Sequence, residues 1–321
     1  MATSKNEFVI ALEEHYWDKE LISHLGGGEA TRSPKMMERL YDLGDIRIRE
    51  MDEAGIDMQL ISHGAPSGQK IEADIGPKLI SGMNDRLAEA IKPHPDRLAA
   101  FAALPTAAPE AAADELERSV TELGFKGAMI CGLTNGKFHD EKQFWPIFAR
   151  AEKLDVPIYM HPSFPDDRII DAYYKEYIQD FPMVMRAAWG YTVETATQAI
   201  RMVLSGMFDE YPKLKIILGH MGETLPYQLW RIDQALSRPG HSTIKFREVF
   251  SEHFWITTSG HFSTPALLTS MMELGSDKIM FAVDWPFVAN PPAMEWFETV
   301  QISAADRKKI LSENALSLLK L

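Results

Sequence analysis

The chain has 321 residues, 45% of them hydrophobic, and a formal net charge of −13. That balance argues against a nucleic-acid binder, which neutralises phosphates with lysine and arginine, but permits a small anionic substrate held by a metal and one arginine. No apolar run approaches the roughly 18 residues of a membrane span. The N-terminal MATSKNEFVIALEEH has too short an apolar run for a signal peptide. The one cysteine, Cys131, excludes an internal disulfide and fits a small buried hydrophobe in a cytoplasmic protein.

Short apolar runs predict strands at 8–12, 58–62, 98–103, 127–131, 156–160, 215–218, 254–258 and 279–283. Amphipathic segments lie between them. Residues 111–123 start after Pro109 and stop at Gly124, 141–154 carry Phe144, Phe148, Ala151 and Leu154 on one face, and 303–321 close the chain. Alternation at this count predicts an α/β fold, a (β/α)8 TIM barrel over residues 1–321 as one domain. Two connections are overlong, one after the first strand with Gly26-Gly27-Gly28, the other from 162 to 212. Connections of that length serve as lids or subunit contacts. The glycine run is no phosphate loop, because no Gly-Lys-Ser/Thr follows it.

Barrel enzymes keep their reactive groups at the C-terminal ends of the strands. Those positions here hold Glu13, Glu14 and His15, then His63, His161, His220 with Glu223, His261, and Asp284. Glu13 and His15 are two apart, so they share a face of an extended strand. With His161 and Asp284 they form a mixed nitrogen and oxygen set that suits Zn2+ or Mn2+ and leaves space for substrate. His220 and Glu223 are spaced as an imidazole with an orienting carboxylate. Glu223 also falls where it would favour the start of the next helix. His63 and His261 are candidate ligand contacts. His24, His94, His139, His241 and His253 fall in loops or helices and read as solvated.

Four stretches carry a family resemblance: Ala11-Leu12-Glu13-Glu14-His15, Tyr159-Met160-His161-Pro162, Gly219-His220-Met221-Gly222-Glu223, and Val283-Asp284-Trp285-Pro286-Phe287. Together they resemble the non-hydrolytic decarboxylases of the amidohydrolase superfamily, the γ-resorcylate and 2,3-dihydroxybenzoate decarboxylases above all. The superfamily's hydrolases usually begin with His-x-His, whereas Glu13-x-His15 resembles the decarboxylase branch. The resemblance implies metal ligands at Glu13, His15, His161 and Asp284, a His220–Glu223 pair, and Arg231 as the arginine that meets the substrate carboxylate. It further implies one Mn2+ or Zn2+ per subunit and a homodimer or homotetramer.

The expected reaction is reversible, non-oxidative decarboxylation of an ortho-hydroxybenzoate of the 2,6-dihydroxybenzoate type, with either Asp284 or a metal-bound water as proton donor. Trp189 and Tyr191 are candidates for an apolar wall. A hydrolase or hydratase acting on a lactone or unsaturated carboxylate is the alternative on the same ligand set. A non-catalytic metal-stabilised binder fits the His220–Glu223 pair less well.

Overall fold

The structure, a computed structural model, describes residues 7–26 and 31–321. Its strands are β1 Ile10–Tyr16, β2 Met58–His63, β3 Leu98–Ala100, β4 Ala128–Cys131, β5 Ile158–His161, β6 Ile216–Leu218, β7 Phe254–Thr257 and β8 Ile279–Met280. They pair in parallel and in chain order as two arcs, β1 to β3 and β4 to β8. A parallel bridge between Ala102 and Ala128 joins the arcs. On the other side, Asp284 N donates to Glu13 O at 3.0 Å and His15 N to Trp285 O at 2.6 Å. These contacts close the expected barrel, so its sheet has no open edge.

Side-chain parity separates two apolar layers. Ile10, Leu12, Leu60, Phe101, Met129, Tyr159, Ile217 and Met280 fill the barrel interior. Val9, Ala11, Ile61, Ile130, Met160 and Leu218 pack outward against the helices. Along β1 the pairing with β2 shifts between Ala11 and Glu14, from Ala11 opposite Gln59 to Glu14 opposite Ile61. One extra residue is accommodated there, a bulge that reverses the inward and outward alternation. Beyond it Tyr16 packs in the outer layer, while Glu13 and His15 turn into the barrel mouth.

Prolines open many of the surrounding helices, as at Pro34–Tyr41, Pro109–Thr121 and Leu225–Leu236. Their fixed φ suits the first turn, where an amide proton has no partner anyway. Several boundaries differ from those expected: β1 runs on to Tyr16, β3 stops at Ala100 and β8 at Met280, and two longer stretches differ as well. The connection over 162–212 is largely helical, with Gly190–Leu204 a regular helix that buries Ala196, Ala199, Met202 and Val203. The stretch 303–321 is not one helix. Ala304–Lys308 passes through a π-turn at Lys309–Glu313 into Asn314–Leu319, and within the π-turn the Ile310 carbonyl accepts from Phe281 N at 2.9 Å. Ala315, Leu318 and Leu319 then cap the inner apolar layer. Gly27 and Gly28 lie outside the described residues. No described helix is long and apolar enough to cross a membrane.

Two histidines read as solvated are buried. His253 stacks on Phe208 at 4.4 Å, and its Nδ1 faces Leu214 O at 2.9 Å. His139 is fully enclosed, with Nε2 2.8 Å from Thr134 Oγ1 and Nδ1 3.0 Å from Gln198 Oε1. Both belong to polar stretches of sequence, and only the packing of distant segments over them removes water. Burial lowers His139 from 6.5 to about 4, against the opposing hydrogen bond to Gln198. In acid the unfolded chain therefore protonates this position first, and stability falls as pH drops from about 6.5 to 4. Urea unfolding of His139→Gln should show a loss between pH 7 and 5 that is about 2 kcal/mol smaller than in the parent. Equal losses in the two proteins would exclude a neutral buried His139.

Candidate metal centre

At the C-terminal mouth of the barrel one donor atom each from Glu13, His15, His161 and Asp284 lies within 4.8 Å of the others. All four predicted ligands are thus brought together. His15 Nε2 stands 3.2 Å from Asp284 Oδ1, and His161 Nε2 3.2 Å from Glu13 Oε1. Glu13 and His15 are fully buried and His161 nearly so. Glu13 Oε1, His15 Nε2 and Asp284 Oδ1 are buried without a hydrogen-bond partner. Leaving three such atoms unsatisfied is costly unless something else binds them. A divalent cation suits this donor chemistry, and the residues present fit it.

Surrounding groups fix the ligands. His161 Nδ1 donates to Pro162 O at 2.6 Å, and His15 Nδ1 lies 3.2 Å from Ser62 Oγ, so both rings turn Nε2 inward. Tyr159 Oη donates to Glu13 Oε2 and lies 2.8 Å from Thr257 Oγ1. Sequence reasoning passed over Tyr159, although it stands two residues before His161 and so shares its face of β5. It also missed the role of Gly219. A Cβ there would fall inside contact distance of Glu13 Oε2 and 3.2 Å from the Glu13 carboxyl carbon.

His220 sits beside the cluster, its Nε2 3.5 Å from Glu13 Oε1 and 4.0 Å from Asp284 Oδ2. Its Nδ1 donates to Glu223 Oε1 at 2.8 Å, as the spacing predicted. The backbone that aims it is unusual: φ is positive at every residue from His220 through Thr224. A left-handed turn costs about 1–2 kcal/mol per non-glycine residue, a strain that concentrates at functional sites. Glu223 therefore helps form a tight turn before the helix Leu225–Leu236 and keeps its carboxylate on His220.

The electrostatics are those of carboxylates crowded with imidazoles. Burial alone would raise Glu13, but His220, His161 and His15 hold it well below the usual carboxylate range. Burial disfavours charge on His220 too, yet Glu13, Glu223 and Asp284 raise it to about 9. His15 is lowered, mainly by burial.

The remaining predicted contacts are placed differently. His63 pairs with Tyr16 along the strands and packs edge-on against that ring at 5.3 Å, on the outward side of the bulge. Its Nδ1 donates to Gly64 O, and burial lowers it to about 4. The same parity that turns Ser62 inward to His15 turns His63 away. His261 is exposed, with Nδ1 3.4 Å from His220 O. Arg231 is exposed on the helix Leu225–Leu236, in a groove lined by Thr197, Ile200 and Gln228. Trp189 is exposed and Tyr191 packs on Phe164. Phe287 also borders the cluster, its ring 5.6 Å from the His15 ring.

The family model described as Amidohydrolase matches residues 12–321. The chain belongs to the amidohydrolase family. Among members of known activity, γ-resorcylate decarboxylase of Polaromonas sp. is 42% identical over 97% of this chain and 98% of its own length. A solved 2,6-dihydroxybenzoate decarboxylase in complex with 2,6-dihydroxybenzoate superposes with a TM-score of 0.88 at 39% identity, covering 98% of this chain and all of the other. The dihydroxybenzoic acid decarboxylase of Polaromonas sp., with bound manganese and the inhibitor 2-nitroresorcinol, does so with 0.89 at 40% identity, covering 98% of this amidohydrolase and 97% of that chain.

Proposed function

We propose that this amidohydrolase is a metal-dependent carboxy-lyase that removes CO2, reversibly and without oxidation, from an ortho-hydroxybenzoate of the 2,6-dihydroxybenzoate type. The observation that carries the reading is the clustered set of Glu13, His15, His161 and Asp284, with three buried donor atoms that make no hydrogen bond to protein. Its opening Glu-x-His and its likeness to γ-resorcylate decarboxylase over nearly the whole chain favour decarboxylation over hydrolysis.

Those four residues would hold one Mn2+ or Zn2+. When bound, the ion supplies a Lewis acid that draws electron density from the substrate's carboxylate and adjacent phenolic oxygen. Asp284, more open than the other three, delivers a proton to the ring carbon that bears the carboxylate. The bond to the carboxylate then breaks, its electron pair returns to the ring as CO2 leaves, and aromaticity is restored. His220, its Nδ1 proton committed to Glu223, presents Nε2 to a ring hydroxyl or returns a proton to Asp284. Phe287 offers an apolar surface beside His15.

Exposed Tyr173, Tyr177, Phe181, Tyr227 and Trp230 lie on the connection after β5 and on the helix Leu225–Leu236, which supports assembly as a homodimer or homotetramer. Arg231 would meet a substrate carboxylate or a neighbouring copy's loop across such a contact, and His261 would border the substrate from the rim. His63 would act from behind β2 on the shape of the pocket. Residues 1–321 would form one domain working in the cytoplasm.

The decisive experiment reconstitutes metal-free protein with Mn2+ or Zn2+ and screens hydroxybenzoates for CO2 release in isotopically labelled water. Release from 2,6-dihydroxybenzoate, with no solvent oxygen in the aromatic product, is expected. Solvent oxygen incorporated into a lactone or unsaturated acid, with no CO2 from any hydroxybenzoate, would replace decarboxylation by hydrolysis or hydration.

A further inference from the structure

Glu14, between two candidate ligands, points the opposite way from both, and its fully buried carboxylate reaches the segment that follows β8. Oε1 accepts from Val283 N at 2.9 Å and Oε2 from Trp285 N at 3.0 Å. The amide between them, Asp284 N, donates to Glu13 O at 3.0 Å. Three successive amides around Asp284 are therefore satisfied by two successive residues of β1. Asp284 itself has φ +77°, a conformation uncommon for a non-glycine residue.

The geometry points to Glu14 as the positioning residue for Asp284, a role in the reaction that acts through another side chain. The β1 bulge turns Glu14 outward, toward the Val283 and Trp285 amides on both sides of Asp284, neither of which donates to a backbone carbonyl. The carboxylate takes the place of the missing strand carbonyls. The seam is braced further: the buried Arg47 guanidinium lies 4.1 Å over the Trp285 ring and donates to His15 O at 2.6 Å, while Trp285 Nε1 donates to Glu50 Oε2 at 2.8 Å. With Val283 N and Trp285 N fixed, Asp284 Oδ1 is held 3.2 Å from His15 Nε2. Without Glu14, rotation about the Asp284 backbone would carry that oxygen away from the other donors.

This inference rests on the metal reading of Asp284 but not on any substrate, so its test measures Mn2+ binding to the full chain by titration and by the electron paramagnetic resonance signal of the ion. Glu14→Gln keeps the shape but sets an amide N–H against one backbone N–H, and should weaken Mn2+ binding about 10- to 100-fold. Glu14→Asp keeps the charge with a shorter reach, and should lose part of the affinity; it supplies the test if Glu14→Gln does not fold. In an Asp284→Asn background either change should alter affinity less than twofold, because the residue through which Glu14 acts is gone. Undiminished Mn2+ affinity in both Glu14 variants, or an equal loss with and without Asp284, would reduce Glu14 to a fold-stabilising group. A parent chain that bound no Mn2+ would overturn the metal reading and this inference together, an outcome distinct from failure of Glu14 alone.

Discussion

Asp284→Asn is expected to lower the decarboxylation rate by about 10²- to 10⁴-fold, the range for removing a positioned general acid. Asparagine keeps the shape, and the backbone bonds that hold position 284, from its own amide to Glu13 O and from Val283 and Trp285 to Glu14, do not depend on its side chain. What changes is the side chain's ability to carry a proton and its charge as a ligand. Metal content measured beside the rate separates the two. Loss of rate in a variant that keeps its metal assigns Asp284 the proton. Rate restored by excess Mn2+ leaves it only as a ligand, and a variant with full metal and full rate has no use for Asp284 as donor.

Gly219→Ala tests the other side of the cluster by adding one methyl group. That Cβ cannot coexist with the Glu13 carboxylate where it stands. Glu13 is anchored by Tyr159 and lies among His161 and His220, so it cannot swing aside without leaving the ligand set. Overpacking of this kind typically costs about 1–3 kcal/mol of stability. Metal affinity should drop about 10- to 100-fold, with activity following it. Isothermal titration with Mn2+ and a thermal melt of the metal-free variant read the two effects separately. Affinity within twofold of the parent would mean that Glu13 relaxes freely and is no essential ligand. The close approach, rather than the backbone angle, makes glycine necessary here, since φ at Gly219 is −72°.

Much of the candidate site was legible in advance because a parallel barrel orders its strand ends by sequence. A run such as IYMH reveals both a buried strand and the polar group that terminates it, and the apolar IMFAV leads from β8 to Asp284. Pairing His220 with Glu223 needed only local spacing, although their contact is made by a left-handed turn that no propensity favours. Where the reading went astray, the cause was parity or long-range cover. His63 was set beside the site because it ends β2, yet alternation turns it to Tyr16. Glu14 stands among the strand-end groups with no role legible in the sequence, yet it faces the opposite way from Glu13 and His15 and holds the amides on both sides of Asp284. His139 and His253 looked like surface histidines until segments far away in sequence closed over them.

The sequence by itself determined the barrel and the four donor residues, because hydrophobic periodicity and strand-end chemistry are local properties. Tertiary structure alone decided which way those donors face. The bulge between Ala11 and Glu14 is defined only by register against β2. That one-residue shift turns Glu13 and His15 into the mouth and sends Glu14 to the seam beside Asp284. Position relative to a neighbouring strand, which no single segment encodes, therefore sends three consecutive residues to two different places, Glu13 and His15 to the candidate metal cluster and Glu14 to the amides beside Asp284.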